Sequence, residues 1–339
     1  MNILYLPLEF GRWYSAKKSA YPVGVGMIEG FGSDVKQLTI PLMYHEDLWL
    51  KYIKELVGGQ KFDQVWLEVV HSIVPEDTLE WLASIAPIRV GFIIESLTMA
   101  PEEFKDNPVG TNRRISNLNT KLPYLTHAAV CDTRDLYKFT IPTFLFGATV
   151  PERLIKTPNS TNDKAMFCGT LYGDRSQWVK DLIVNPPSPE DSSNFPYIFE
   201  QLFALKCDLD CYNTFFQNWY YIRQAVYSLW INHLHTFHSC AMVNLPHRTK
   251  NIASSRVIEG MAAGKPVISQ WLDNDADANF EDRKNIMYYR DLADLTNCID
   301  ELREDPDLRF RIAEEARINV LENYTTEVLV KRILEFVQT

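Results

Sequence analysis

Ser254–Gln270, SSRVIEGMAAGKPVISQ, is the stretch whose reading decides the fold. Small and apolar residues run through Met261–Ala263, a glycine follows at Gly264, and Val267–Ser269 suits a buried strand. The segment therefore predicts a short helix, a glycine stop and a strand. Glu259 does not fit a purely apolar helix. A capping box needs Ser or Thr three residues earlier, and that position is Arg256. An Arg256–Glu259 pair at i, i+3 on a surface helix contributes only about 0.2–0.5 kcal/mol. A third reading is a carboxylate that faces a ligand.

Working outward, the same alternation recurs. The first half offers strands at Asn2–Pro7, Asp34–Pro41, Gln64–Val70, Arg89–Glu95, His127–Asp132 and Thr143–Ala148. Helices are expected over Val23–Gly32, Glu46–Gly59, Pro75–Ile85, a region reaching Leu122, and Thr133–Phe139. Short apolar strands separated by helices imply a parallel sheet covered on both faces. A polar stretch rich in Pro, Ser, Thr and Asn then interrupts the pattern. After it come a strand at Ala165–Thr170, a helix at Arg175–Val184, a long aromatic helical block over Pro196–His235, a strand at Cys240–Pro246, the opening segment, and a strand at Asn285–Asp291. Charged amphipathic helices follow to the end. The expected fold class is α/β, with two Rossmann-like parallel-sheet domains. Residues 1–150 form the first, 151–164 the linker and 165–339 the second, with the terminal helix packing back on the first.

The 339 residues fit two domains, and 46% hydrophobic with 23% charged residues describes an ordinary globular chain. A net charge of −10 opposes non-specific binding to nucleic acid, which rests on basic contacts to phosphate. The N-terminus meets Glu9 before any adequate apolar run and reads as no signal peptide. No apolar run approaches the ~18 residues that span a bilayer. Six scattered cysteines read as reduced thiols, so a cytoplasmic location is expected.

Three motifs can be weighed. Gly24, Gly26 and Gly30 miss the dinucleotide fingerprint by one residue, and a long loop separates them from the first strand. Cys207, Cys211, His233, His235 and His238 lie in the aromatic block and read as packed thiols and partly exposed imidazoles rather than a zinc site. No metal ligand set and no cofactor is expected. His71 and Glu95 stand at the carboxyl ends of predicted parallel strands, where ligands bind; for each, a structural and a functional role weigh about evenly. Asp132 shares that placement but suits an N-cap better.

MVNLPHRTKNIASSRVIEGMAAGKPVIS, with the helices from Asp291 onward, resembles the donor domain of GT-B glycosyltransferases, group-1-like and nearest the branch related to spore-maturation proteins. Asn244, Arg256, Glu259 and Gly264 match its pattern, as do Gly169 and Arg175 in MFCGTLYGDR. The resemblance implies two domains facing each other across a cleft, the second holding a nucleoside-diphosphate sugar and the first an acceptor. It implies that Glu259 accepts ribose hydroxyls. Backbone N–H groups at Ser254 and Ser255 would face the diphosphate at a helix N-terminus, with Arg175 and Lys180 supplying positive charge. Many retaining relatives carry a second glutamate where this chain has Asn251, so donor sugar and stereochemistry stay open.

The leading expectation is a metal-independent hexosyltransferase, with Glu95 and His71 as catalytic candidates. Its acceptor would be a small molecule, glycan, lipid or protein, and not nucleic acid. A nucleotide-sugar epimerase of the same fold and a non-catalytic binding protein are the alternatives.

Overall fold

The computed structural model describes residues 1–9, 25–43, 53–98, 105, 107–168, 183–184, 209–245, 254–270 and 279–338. The chain divides into two compact units. One comprises residues 1–146, 194–224 and 330–339; the other comprises 147–193 and 225–329.

In the first unit, β1 (Asn2–Leu6), β3 (Lys36–Thr39), β5 (Gln64–Glu68), β6 (Ile88–Ile93), β7 (His127–Val130) and β8 (Thr143–Leu145) form one parallel sheet in the order β3-β1-β5-β6-β7-β8. The apolar runs read from sequence are the strands of this sheet, and β5 is buried along its whole length. Full burial is what a strand covered on both faces requires. Register is fixed by pairs such as Leu4↔Val65 and Trp66↔Val90. The covering helices include α1 (Val25–Gly30), α2 (Glu76–Ile85) and α3 (Pro108–Lys121). Asn107 caps α3 by accepting from Gly110 N at 3.0 Å, and Pro108 starts it without losing a needed donor. Asp132 caps the 3₁₀ turn Thr133–Asp135, accepting from Arg134 N at 2.9 Å.

The second unit holds a parallel sheet in the order β10-β9-β11-β12-β13. Its strands are β9 (Ala165–Met166), β10 (Ile183–Val184), β11 (Met242–Asn244), β12 (Val267–Gln270) and β13 (Met287–Tyr289). A long helix, α4 (Leu209–Thr236), precedes β11, and α5 (Ser255–Ala262) links β11 to β12. A Cβ at Gly260 would meet Met242 Sδ at 2.8 Å and Val267 Cγ2 at 3.0 Å, so only glycine lets α5 lie this close to the sheet. Gly264 has φ +74°. Its N–H donates to Met261 O at 3.0 Å while Lys265 N donates to Gly260 O at 3.1 Å, the paired bonds of a Schellman stop. The opening stretch thus folds as its sequence predicts. The helices α6 (Leu292–Glu304) and α7 (Pro306–Asn323) are capped by Asp291 and Asp305, and α8 (Thr326–Phe336) follows.

The structure differs from the sequence reading in four places. Ile183–Val184, read as the end of a helix, pairs in parallel with β9 as an edge strand. Leu8–Glu9 (β2) and Leu42–Met43 (β4), read as loop, form a two-stranded parallel ladder. Residues 151–164, read as a linker, cluster with the second unit. There, Lys156 N donates to Ala262 O, Asn159 N to Gly264 O and Thr161 N to Ser239 O. Residues 194–224, read as part of the second domain, cluster with the first unit, as do residues 330–339 of the terminal helix, where the Phe336 ring lies 4.9 Å from Phe144 and 5.8 Å from His127. Among the described residues no helix is long and apolar enough to cross a membrane.

Candidate functional site

In the second unit, four predicted donor residues gather where β11 ends and α5 begins. Asn244 is the hub. Its Oδ1 accepts from Ser254 Oγ at 3.2 Å and from Arg256 Nη1 at 3.1 Å, and its Nδ2 donates to Ser269 Oγ at 3.0 Å. Tyr289 Oη donates to the Asn244 carbonyl at 2.9 Å. Arg256 also donates from Nε to Cys168 O at 2.6 Å and lies over the Phe167 ring at 4.8 Å. One guanidinium therefore ties the carboxyl end of the β9 segment to the end of β11. Ser254 is the N-cap residue of α5, but its side chain makes no capping bond because the hydroxyl is turned to Asn244. Ser255 begins the helix. A helix N-terminus at the carboxyl ends of parallel strands favours an anion through its dipole and its unsatisfied N–H groups.

Glu259 lies one turn further along α5 and is buried, with only 3% of its surface exposed. Its Oε1 accepts from Tyr227 Oη at 3.2 Å and its Oε2 from Trp230 Nε1 at 3.0 Å. Both donors sit on α4, 32 and 29 residues away in sequence. The carboxylate thus has partners within the protein. Arg256 turns away to Cys168 and Asn244. Gly169, Arg175 and Lys180 lie outside the described residues.

In the first unit, His71 and Glu95 are brought together, as their positions at neighbouring strand ends imply. His71 Nε2 stands 3.0 Å from Glu95 Oε1, and Arg114 Nη1 of α3 pairs with Glu95 Oε2. Arg114 also reaches Thr111 Oγ1 at 3.2 Å. His71 is mostly buried and Glu95 half-buried. An imidazole held through Nε2 against a carboxylate is fixed in orientation, which suits handling a proton.

Beneath this pair lies a buried polar set that sequence reasoning missed. Glu68 and Lys121 are each 1% exposed, and Asn117 sits one turn before Lys121 on α3. Burial pushes the Lys121 ammonium down to about 8, offset in part by the Glu68 charge. The available signal was Glu68 itself, a charge inside the apolar run QVWLEVV. Asp132, next along the strand ends, accepts from Arg134 at 2.8 Å and from Ser96. Burial works to raise its carboxyl, but the bonds from Arg134 and Ser96 outweigh it and hold the group below the ordinary carboxylate range.

Comparison with known proteins bears on the second unit most directly. Residues 217–335 match the family model described as glycosyl transferase-like. No curated protein matches the sequence. Solved structures do match the fold. Anabaena HepE in complex with UDP-glucose is 10% identical, covering 100% of this chain and 99% of its own, with a TM-score of 0.58. Sucrose-phosphate synthase from Thermosynechococcus elongatus is 13% identical, with coverage of 100% and 98% and a TM-score of 0.58. An alpha-glucosyltransferase in complex with UDP and a 13-mer DNA is 12% identical, with 100% of both chains covered and a TM-score of 0.61. The chain thus has two parallel-sheet α/β units similar in fold to GT-B glycosyltransferases, and its residues 217–335 match a glycosyl transferase-like family model.

Proposed function

We propose that the protein transfers a sugar from a nucleoside-diphosphate sugar, UDP-linked, to a hydroxyl of an acceptor that is a glycan, lipid, small molecule or protein. The carrying observation is the α5 N-terminus, set among Asn244, Ser254, Ser255 and Arg256 at the carboxyl ends of β9 and β11 and inside the glycosyl transferase-like region. As the bond from the sugar to the diphosphate breaks, negative charge grows on the leaving phosphate. Backbone N–H groups at Ser254 and Ser255 stabilise that charge without a metal ion. The resemblance assigns Arg175, Lys180 and Gly169 to the same diphosphate; they lie outside the described residues. The acceptor hydroxyl attacks the anomeric carbon and its proton passes to the His71–Glu95 pair. No further cofactor takes part, and a chain of net charge −10 suits a neutral acceptor better than nucleic acid.

Glu259 accepts the ribose hydroxyls beside its bonds from Tyr227 and Trp230. Calorimetry with UDP and UDP-glucose tests this through Glu259→Gln. The Tyr227 hydroxyl turns to accept from the new amide and Trp230 keeps donating to the remaining amide oxygen, so the charge and one acceptor oxygen are lost. Charge-assisted bonds are typically worth about 1.5–3 kcal/mol each, so affinity should fall roughly 10- to 150-fold with little change in melting temperature. Unchanged affinity removes Glu259 from the site. UDP release should also survive EDTA; loss of turnover restored by Mn²⁺ or Mg²⁺ would contradict the metal-free reading.

A further inference from the structure

His71 lies on a loop whose peptide groups are held by buried side chains. Glu68 Oε1 accepts from Val70 N and His71 N at 2.7 Å each, and Glu68 Oε2 accepts from Ser72 N at 2.8 Å. Ser72 Oγ returns a bond to Glu68 O at 2.7 Å. From the other side, Lys121 Nζ donates to Val69 O at 3.0 Å, to Ser72 O, and to its own helix at Asn117 O at 3.3 Å. Asn117 Nδ2 donates to Val70 O at 3.1 Å and His71 O at 3.3 Å. Three consecutive N–H groups and four consecutive carbonyls, spanning residues 69–72, are therefore each met by a side-chain donor or acceptor.

Stability does not account for this arrangement. Burying a carboxylate and an ammonium strips each of its hydration, and apolar residues of the same volume are often as stable or more so. What the charges supply is geometry, because a carboxylate that accepts three N–H groups and an ammonium that reaches two loop carbonyls permit one loop conformation. That conformation places His71 Nε2 at 3.0 Å from Glu95 Oε1. We infer that Glu68, Lys121 and Asn117 are positioning residues, which lock the 69–72 loop so that His71 presents Nε2–H to Glu95 and stays in one tautomer. The inference deepens the reading of His71 and Glu95 as the proton-handling pair and rests on it for its meaning in catalysis.

The test uses the full chain labelled with ¹⁵N-histidine, with His71 assigned by its loss in His71→Gln. Long-range ¹H–¹⁵N spectra above the imidazole titration should show His71 wholly as the Nε2–H tautomer. Glu68→Gln sets an amide N–H₂ or a single oxygen against three backbone donors, and Lys121→Met strips two loop carbonyls of their donor. Both should give His71 as a mixture of tautomers in fast exchange. Asn117→Ala, which removes only the bonds to Val70 and His71 carbonyls, should shift the mixture in the same direction by less, and it decides the matter if the charge variants do not fold. A His71 that keeps the wild-type tautomer in every folded variant overturns the inference, as does a wild-type His71 already in mixed tautomers. UDP release from UDP-glucose, run on the same samples, reads the catalytic meaning separately. There kcat should fall at least tenfold with KM for UDP-glucose within twofold. Tautomers that change in a protein with no detectable UDP release support the positioning role and count against glycosyl transfer alone.

Discussion

Two strand-end regions of this molecule solve different electrostatic problems. At the β5 and β6 ends of the first unit acidic and basic side chains are set close together: Glu68 and Lys121 both bond the 69–72 loop, and Glu95 meets Arg114 and His71. At the β9 and β11 ends of the second unit a neutral asparagine is the hub, one arginine ties two strand ends together, and a helix begins. A balanced set of acids and bases around an imidazole suits moving a proton. A helix end with an arginine beside it suits holding an anion. The contrast teaches that two sheets of the same parallel construction can carry very different polar chemistry at their carboxyl ends.

The sharpest way to break the contrast is to remove the imidazole. His71→Ala should lower kcat by about 10²–10⁴-fold, the span usual for a general base, while UDP affinity measured by calorimetry stays within twofold. Glu95→Gln should act in the same direction with a smaller loss, because Arg114 and His71 keep a neutral acceptor. Parental turnover in both variants would make the first region structural and leave the second as the whole of the site.

A smaller effect separates the two units by pH. Each holds a buried lysine pushed down to about 8 by burial, Lys121 near a carboxylate and Lys265 with its Nζ on Phe237 O at 2.8 Å. The unfolded chain keeps a lysine near its ordinary value, so between about 8 and that value the unfolded state binds more protons. Stability from this group is therefore present at high pH and lost as pH falls through about 8. Lys265→Met removes the titration. Its stability relative to the parent, from urea melts at pH 7, 8, 9 and 10, should be most favourable at pH 7 and decline by up to about a kcal/mol per pH unit above 8. A flat difference would mean that Lys265 keeps an ordinary value.

Much of the fold was legible because its signals are local. Apolar runs such as NILYL and QVWLE become buried strands, and Gly264 stops α5 with the left-handed φ that its position demands. The misses have physical causes. Ile183–Val184 continues a helix-like apolar pattern, and two residues are too few to show a strand period; only the neighbour β9 makes them a strand. The polar tract 151–164 reads as solvated, yet its backbone groups find partners at the open end of α5. In the candidate site, strand-end positions placed His71 beside Glu95, and the resemblance brought Asn244, Ser254, Ser255 and Arg256 to one helix end. Glu259's donors could not be read, since Tyr227 and Trp230 lie on another helix far along the chain. Lys121 was equally hidden: a lysine at the end of a polar helix looks exposed until the 69–72 loop is seen folded over it.

The smallest expected effect tests whether the second region works through backbone or side chain. Ser254 occupies the N-cap of α5, where replacing serine by alanine ordinarily costs about 1 kcal/mol. Here the hydroxyl makes no capping bond and donates to Asn244 Oδ1 at 3.2 Å, an oxygen that Arg256 also supplies at 3.1 Å. Ser254→Ala should therefore cost only a few tenths of a kcal/mol, well under the usual capping loss. Asp291→Ala provides the contrast, because Asp291 does cap α6, accepting from Asp294 N at 2.8 Å, and its loss should cost the ordinary amount. If the diphosphate is held by backbone N–H groups, Ser254→Ala leaves UDP affinity within twofold, since no donor to the phosphate is removed. A fall of tenfold or more, with stability unchanged, would transfer the role to the hydroxyl and make the anion site one of side chains rather than of a helix end.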